Sequence, residues 1–282
     1  MEITYDPITK ELKVEGMDPE GLNPNGVYLE TSSSRQYLGS TIMDIGLLIP
    51  QDSESNEKYT LTLVELKEAE LLYKKIKESY LDEDQNKRTV ISLYGGSGSG
   101  KSTIAEALEL LMNADGVGCF VLTGDNYPHR IPMRNDEERM RVYEADGEDG
   151  LRNYLGTSQE LDFDDINKVL ADFHAGKDVL NLKHMGRTDG DISYEETDIT
   201  GIDVMLLEWT HGGSDDLIGV DVPIYIEVSP EVARERRIKR GRDENAASPF
   251  IAKVIELEQE KLERQKNNAK LIVGKDGKIY EQ

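Results

Sequence analysis

One stretch of this chain limits its fold more than any other. Thr89-Val90-Ile91-Ser92-Leu93-Tyr94 reads as a short buried strand, and Ile104 through Met112 reads as a helix. Between them stands Gly95-Gly96-Ser97-Gly98-Ser99-Gly100-Lys101-Ser102-Thr103, which fits G-x-x-x-x-G-K-[ST] from Gly95 to Ser102. A strand, a glycine-rich turn and a helix N-terminus make a phosphate cradle, because successive backbone N–H groups point inward and the helix dipole adds positive potential. Glycines suit the turn because the chain must take φ > 0 and approach the phosphates closely. In that pattern Lys101 reaches the β- and γ-phosphates of a nucleotide, and the Ser102 hydroxyl ligates Mg²⁺.

The rest of the C-terminal part repeats the same alternation. Apolar runs at 89–94, 119–123, 204–208, 223–228 and 270–273 read as buried parallel strands. Asp162 caps a helix whose Ile166, Val169, Leu170 and Phe173 share a face, and Gly176 closes it. Ser229-Pro230 and Ser248-Pro249 each offer an N-cap serine with proline at the first helical position. The expectation is an α/β fold, a doubly wound, mostly parallel sheet with sites beyond the carboxyl ends of its strands. Residues 1–86 read as a separate, small α+β region of unknown role, and 87–282 as the nucleotide-binding domain. In the first region Ile3-Thr4-Tyr5 and Leu12-Lys13-Val14 suggest a hairpin, and Leu61 to Tyr80 a helix with an irregular apolar stripe through Leu63, Leu66, Leu71, Leu72 and Ile76.

Charge narrows the partners. Asp and Glu total 56 against 33 Lys and Arg, a formal net charge of -23. Such acidity argues against nucleic acid or an anionic membrane surface and leaves a small-molecule substrate as the expected partner. A homo-oligomer is compatible with this composition. The one cysteine, Cys119, permits no disulfide within the chain and suits a reducing compartment. Met1 to Asp6 lack the basic and apolar runs of a signal peptide, and no apolar run nears the ~20 residues of a membrane span. A cytoplasmic location is therefore expected.

Three further constellations carry chemistry. Asp125, in Gly124-Asp125-Asn126-Tyr127, ends the second strand and faces the same crevice as the phosphate loop. A carboxylate there can accept the proton of an alcohol as it attacks the γ-phosphorus. Glu208 ends the third strand after four apolar residues and can hold Mg²⁺ or its water shell together with Ser102. Arg234 to Arg242 holds six basic residues in nine, and reads as a lid that stabilises charge on the transferring group. Tyr127, His129, Arg130, Arg134, His184, Arg187 and Trp209 are candidates for contacting the acceptor, with His211 beside the last of them.

The pattern resembles the uridine kinase, phosphoribulokinase and pantothenate kinase group of P-loop kinases over about residues 89–275. Gly124-Asp125-Asn126-Tyr127-Pro128-His129-Arg130 is similar to that family's Gly-Asp-Ser-Phe-His-Arg, Leu207-Glu208 to its Glu-Gly, and Arg236-Arg237-Ile238-Lys239-Arg240 to its lid Arg-Arg-Ile-x-Arg. The helix that runs into Gly176-Lys177-Asp178-Val179 is similar to one ending in Gly-Lys-x-Val. The resemblance implies ATP and Mg²⁺ as cofactors, Asp125 as base, and Arg237 and Arg240 on the nucleotide, with Lys101 and Arg240 assisting transfer. Uridine kinases follow that Val with Pro-x-Tyr-Asp and a histidine, whereas Leu182-Lys183-His184-Met185 stands here. The acceptor is thus expected to be a sugar, a polyol or a sugar-phosphate-like alcohol. A nucleoside kinase, an adenylylsulfate-type kinase and an ATP-dependent regulatory switch stay open as alternatives.

Overall fold

The computed structural model describes residues 2–6, 11–15, 48–50, 58–60, 63–81, 87–188, 190–239 and 248–282. Two short antiparallel pairs come first. β1 (Glu2–Asp6) pairs β2 (Glu11–Glu15) with Ile3 opposite Val14, the hairpin that the sequence suggests. β3 (Leu48–Pro50) pairs β4 (Lys58–Thr60).

α1 (Leu63–Ser79) follows. Its buried stripe is Ala69, Leu72, Tyr73 and Ile76, a regular i, i+3, i+4, i+7 set, while Leu71 faces solvent. That stripe joins Leu108 and Met112 of α2 (Lys101–Ala114) in one apolar cluster. Fully burying an aliphatic side chain such as Ile76 contributes about 1.5–3 kcal/mol.

The remaining strands are β5 (Thr89–Tyr94), β6 (Cys119–Thr123), β7 (Val179–Met185), β8 (Ile192–Asp198), β9 (Val204–Glu208), β10 (Val222–Ile226), β11 (Leu271–Val273) and β12 (Ile279–Glu281). Six of them form one sheet in the order β12-β11-β10-β5-β9-β6, parallel throughout except for β12 at the edge. All five runs read as buried strands lie in it. Alternate residues feed opposite faces. Ile91, Leu93, Val204 and Leu206 pack under α1 and α2. Val90, Met205 and Leu207 pack under α4 (Phe163–His174), with Phe163, Ile166, Val169, Leu170 and Phe173. Both faces are covered, which is why the strands read as unbroken apolar runs.

Asp162 caps α4 by accepting from Asp165 N at 3.2 Å, and Gly176 ends it with φ 80°. α3 (Pro132–Tyr154) is broken at Gly147, where φ is 67° and ψ -157°. α5 (Pro230–Lys239) and α6 (Pro249–Gln265) start at the two Ser-Pro pairs, and Ser229 Oγ accepts from Val232 N at 3.3 Å. The β7–β8 hairpin has no counterpart in the sequence reading. Only β7 alternates, with Leu180 and Leu182 inward; β8 is exposed apart from half-buried Thr197 and offers no hydrophobic period. Among the described residues no helix is long and apolar enough to cross a membrane.

Candidate active site

The phosphate loop joins β5 to α2. Gly95, Gly98 and Gly100 take φ of 146°, 84° and 101°, a region that L side chains avoid. Two of them are also sterically fixed. A Cβ on Gly95 would stand 2.5 Å from Ile226 O, and one on Gly98 2.7 Å from Ala233 O. Lys101 is buried over the loop and donates to Gly95 O at 3.1 Å and Gly96 O at 3.3 Å. The Ser99 hydroxyl is buried with no hydrogen-bond partner in the protein. Together with the glycine cradle it fits the oxygens of a polyphosphate. Ser102 and Thr103 open α2 and are half-buried.

The sheet brings two acids to this loop. Leu93 and Thr123 both register with Glu208, so Glu208 ends β9 between the start of the loop and the turn that carries Asp125. Lys101 Nζ lies 4.0 Å from Glu208 Oε1. Asp125 sits in a single 3₁₀ turn, Gly124–Asn126, and is exposed at the carboxyl end of β6. Lys101 and Glu208 thus meet at the carboxyl edge of the sheet, where the turn that carries Asp125 also stands.

Packing beneath the Asp125 turn is specific. Trp209 is 1% exposed and lies in the core against Phe163, ring centroids 5.4 Å apart. Tyr127 is 0% exposed in the same cluster, and its carbonyl accepts from Asp162 N at 2.7 Å. These two candidates for substrate contact are thus core side chains that hold the turn from below. β7 holds its far side: Asn126 Oδ1 accepts from Met185 N at 3.3 Å, and buried Lys183 donates to Pro128 O at 3.1 Å and Asp162 Oδ2 at 3.2 Å.

The other candidates are dispersed. His129 Nε2 meets Ser158 O at 3.0 Å. Arg130 donates to the Tyr154 hydroxyl at 3.3 Å and lines an open polar cleft of about 660 Å³ with Glu138, Arg141 and Gln159. Arg134 pairs with Glu137 at 2.8 Å on an exposed helix face. His184 meets Glu195 at 3.5 Å across the exposed side of the β7–β8 hairpin, and Arg187 is exposed at its end. Of the basic run, Arg236 reaches the loop and donates to Gly98 O at 3.3 Å and Ser99 O at 2.9 Å. Arg240 and the side chain of Arg237 lie outside the described residues. Beside Arg236 a cavity of about 220 Å³ opens at the ends of β10 and β11, lined by Val228, Val232 and Gly274 and reached by Glu68 and Leu72 of α1.

A buried ionic cluster next to the crevice is absent from the sequence reading. Glu160 is fully buried and accepts from Arg139 Nε at 2.6 Å, Asn135 Nδ2 at 3.0 Å and Gly156 N at 2.5 Å. Burial pushes its carboxyl up, but Arg139 and the Gly156 N–H outweigh that and hold it below the usual range. Arg139 Nη2 also donates to Glu258 Oε1 of α6 at 3.0 Å. Lys261 donates to Leu155 O at 2.9 Å and Gly156 O at 2.7 Å. His211 is buried edge-on to Trp209, and burial pushes its pKa down to about 4, so it is neutral at physiological pH. In sequence Arg139 is indistinguishable from Arg134 and Arg141. The i, i+4 pair Asn135 and Arg139, facing inward while acids flank them, is the signal that could have found it.

The family model for the phosphoribulokinase / uridine kinase family matches residues 90–277. The chain belongs to that family. It carries the glycine-rich phosphate-loop motif between a strand and a helix, as in P-loop kinases. It is 62% identical over 262 residues, 93% of its length, to the bifunctional alpha-galactosidase/sucrose kinase of Mediterraneibacter gnavus, and spans 28% of that protein. To a uridine kinase of Leuconostoc citreum it is 25% identical over 197 residues, covering 68% of this chain and 89% of the relative. Among solved structures of the phosphoribulokinase/uridine kinase family, the phosphoribulokinase of Rhodobacter spheroides matches with a TM-score of 0.49 and 17% identity, over 66% of this chain and 69% of that one.

Proposed function

We propose that residues 87–282 form an ATP-dependent kinase that phosphorylates a hydroxyl of sucrose or a closely similar sugar. The observation that carries this is the register at Glu208, which sets the phosphate loop and Asp125 on either side of one acid at the sheet's carboxyl edge. A pure nucleotide switch has no need of an exposed carboxylate there. The sugar reading is supported by the 62% identity to a protein whose name joins a glycosidase and a sucrose kinase. The matched portion carries the phosphate loop, which belongs to phosphoryl transfer and not to glycoside cleavage.

In this reading the loop N–H groups, Lys101 and the Ser99 hydroxyl bind the nucleotide's phosphates. Ser102 and Glu208 would hold Mg²⁺, which when bound neutralises charge on the phosphate oxygens. Asp125 orients the acceptor hydroxyl and takes its proton as the new P–O bond forms. Lys101 stabilises charge on the transferring group, and Arg236 ties α5 to the loop so that the basic run, with Arg237 and Arg240, works as a lid. Catalysis is positioning plus electrostatics, with no covalent intermediate on the protein. Residues 1–86 form an added region whose α1 braces the loop helix.

The test is ADP release with Mg·ATP over a panel of sucrose, monosaccharides, polyols, sugar phosphates and uridine, with ³¹P detection of the product. Sucrose should give the highest kcat/KM. Uridine outrunning every sugar would overturn the acceptor class.

A further inference from the structure

α6 reaches the phosphate loop through the side chain of Gln259. A Cβ on Gly96 would stand 2.8 Å from Gln259 Oε1, so this turn of the helix lies on the phosphate loop. One residue earlier, Glu258 accepts from Arg139 at 3.0 Å. Its side chain is recessed yet still 18% exposed.

The carboxylate is not needed to neutralise Arg139. That guanidinium already has Glu160 at 2.6 Å and Asp136 at 3.7 Å. Glu160 in turn is closed off by three donors. Glu258, by contrast, has Arg139 as its one hydrogen-bond donor among the described residues. A carboxylate offers about four acceptor positions, so capacity is left over. The charged groups facing it are Arg139, Glu160, Asp125 and Lys101, from α3, the turn before α4, the end of β6 and the start of α2. Burial pushes its carboxyl up, Arg139 opposes this, and Glu160 and Asp125 add to the push. Glu258 therefore stands at an electrostatic disadvantage that Arg139 offsets only in part.

We propose that Glu258 binds the phosphate acceptor, receiving a hydrogen bond from a second hydroxyl next to the one that Asp125 deprotonates. The ligand class is a molecule with hydroxyls on neighbouring carbons. A carboxylate fixed by a planar guanidinium suits it, because each sugar hydroxyl donates to the acid and accepts from the cation. Arg139, locked by Glu160, which Asn135 and Gly156 hold in turn, is the positioning residue that sets the carboxylate's place. The inference rests on the phosphotransfer reading above and specifies its acceptor site.

The experiment compares wild type with Glu258→Gln, whose amide oxygen can still accept from Arg139. With sucrose at saturating ATP, KM for the sugar should rise about tenfold or more, the scale of a lost charged hydrogen bond, with KM for ATP unchanged. Against monodeoxy analogues the difference between the two proteins should vanish for one analogue alone, the one lacking the partner hydroxyl. Sugar affinity is also read directly by calorimetry beside a non-hydrolysable ATP analogue. An unchanged sugar KM, or an equal rise in both KM values, would overturn the assignment. Sugar bound by wild type and lost in the variant, with no transfer by either, would overturn phosphotransfer and keep Glu258 in its role. A wild type that neither binds nor phosphorylates any sugar would overturn both. Should the variant lose its cooperative melting transition, Glu258→Asp, which keeps the charge one methylene back, stands in under the same criteria.

Discussion

Gly124 rests on the ring of Trp209 so closely that a Cβ there would stand 2.1 Å from the Trp209 Cγ. The residue before the candidate base is thus glycine because the core rises to meet it. Gly124→Ala should lift the Asp125 turn off its floor. Overpacking of this kind costs about 1–3 kcal/mol, and turnover should fall much further than Mg·ATP affinity, because the phosphate loop is untouched. Thermal denaturation and steady-state kinetics on the same preparation check both. A variant with wild-type turnover would mean that Asp125 tolerates displacement.

Asp125→Asn should bind nucleotide normally and lose transfer by ~10²-fold or more, the usual scale for a general base. Lys101→Ala should do the reverse at the binding step and abolish nucleotide-dependent thermal stabilisation. The contrast is the informative part: two variants that both fail only in binding would place Asp125 in the turn and not in the chemistry.

Ser99 gives a prediction with an unusual sign. Its hydroxyl is buried and unpartnered in the protein. Ser99→Ala should leave the free protein as stable or up to ~1 kcal/mol more stable, since no hydrogen bond is lost and a buried polar group goes. Mg·ATP should bind about five- to tenfold more weakly, by loss of one hydrogen bond to phosphate. Calorimetric titration and melting temperature together decide it; destabilisation with normal affinity would contradict the cradle reading.

His211 sets an acid limb on stability. Burial pushes its pKa from 6.5 down to about 4, so the unfolded chain takes up a proton in that window and the folded chain does not. Stability from this group is complete above pH 6.5 and is lost as pH falls towards 4, at up to ~1.4 kcal/mol per pH unit. His211→Gln should flatten that limb in melting curves recorded between pH 7 and 4. An identical slope in both proteins would show that carboxylates alone govern acid unfolding.

Much of this molecule was written locally. The phosphate loop, the five parallel strands, the helix that opens at Asp162 and the strand-end positions of Asp125 and Glu208 are legible because each depends on short-range pattern: apolar runs and turn chemistry. Sequence alone offers Trp209 and Tyr127 as substrate contacts, since a buried aromatic and a stacking platform have the same one-letter signature; the structure buries both in the core. Sequence alone draws the stripe of α1 through Leu71, which is exposed, because a leucine-rich helix shows several overlapping stripes until a partner selects one.

What the sequence by itself determined is the strand, loop and helix order, which follows from periodicity and backbone sterics over a few residues. What only the tertiary structure decided is which distant residues share the crevice. Glu208 stands between the phosphate loop and Asp125 through β-sheet register. Arg139, Glu160 and Glu258 come together from three segments more than twenty residues apart. Their charges are spaced like those of any solvated helix face, and only burial, which removes water and lets one guanidinium serve two carboxylates, joins them into one ionic cluster.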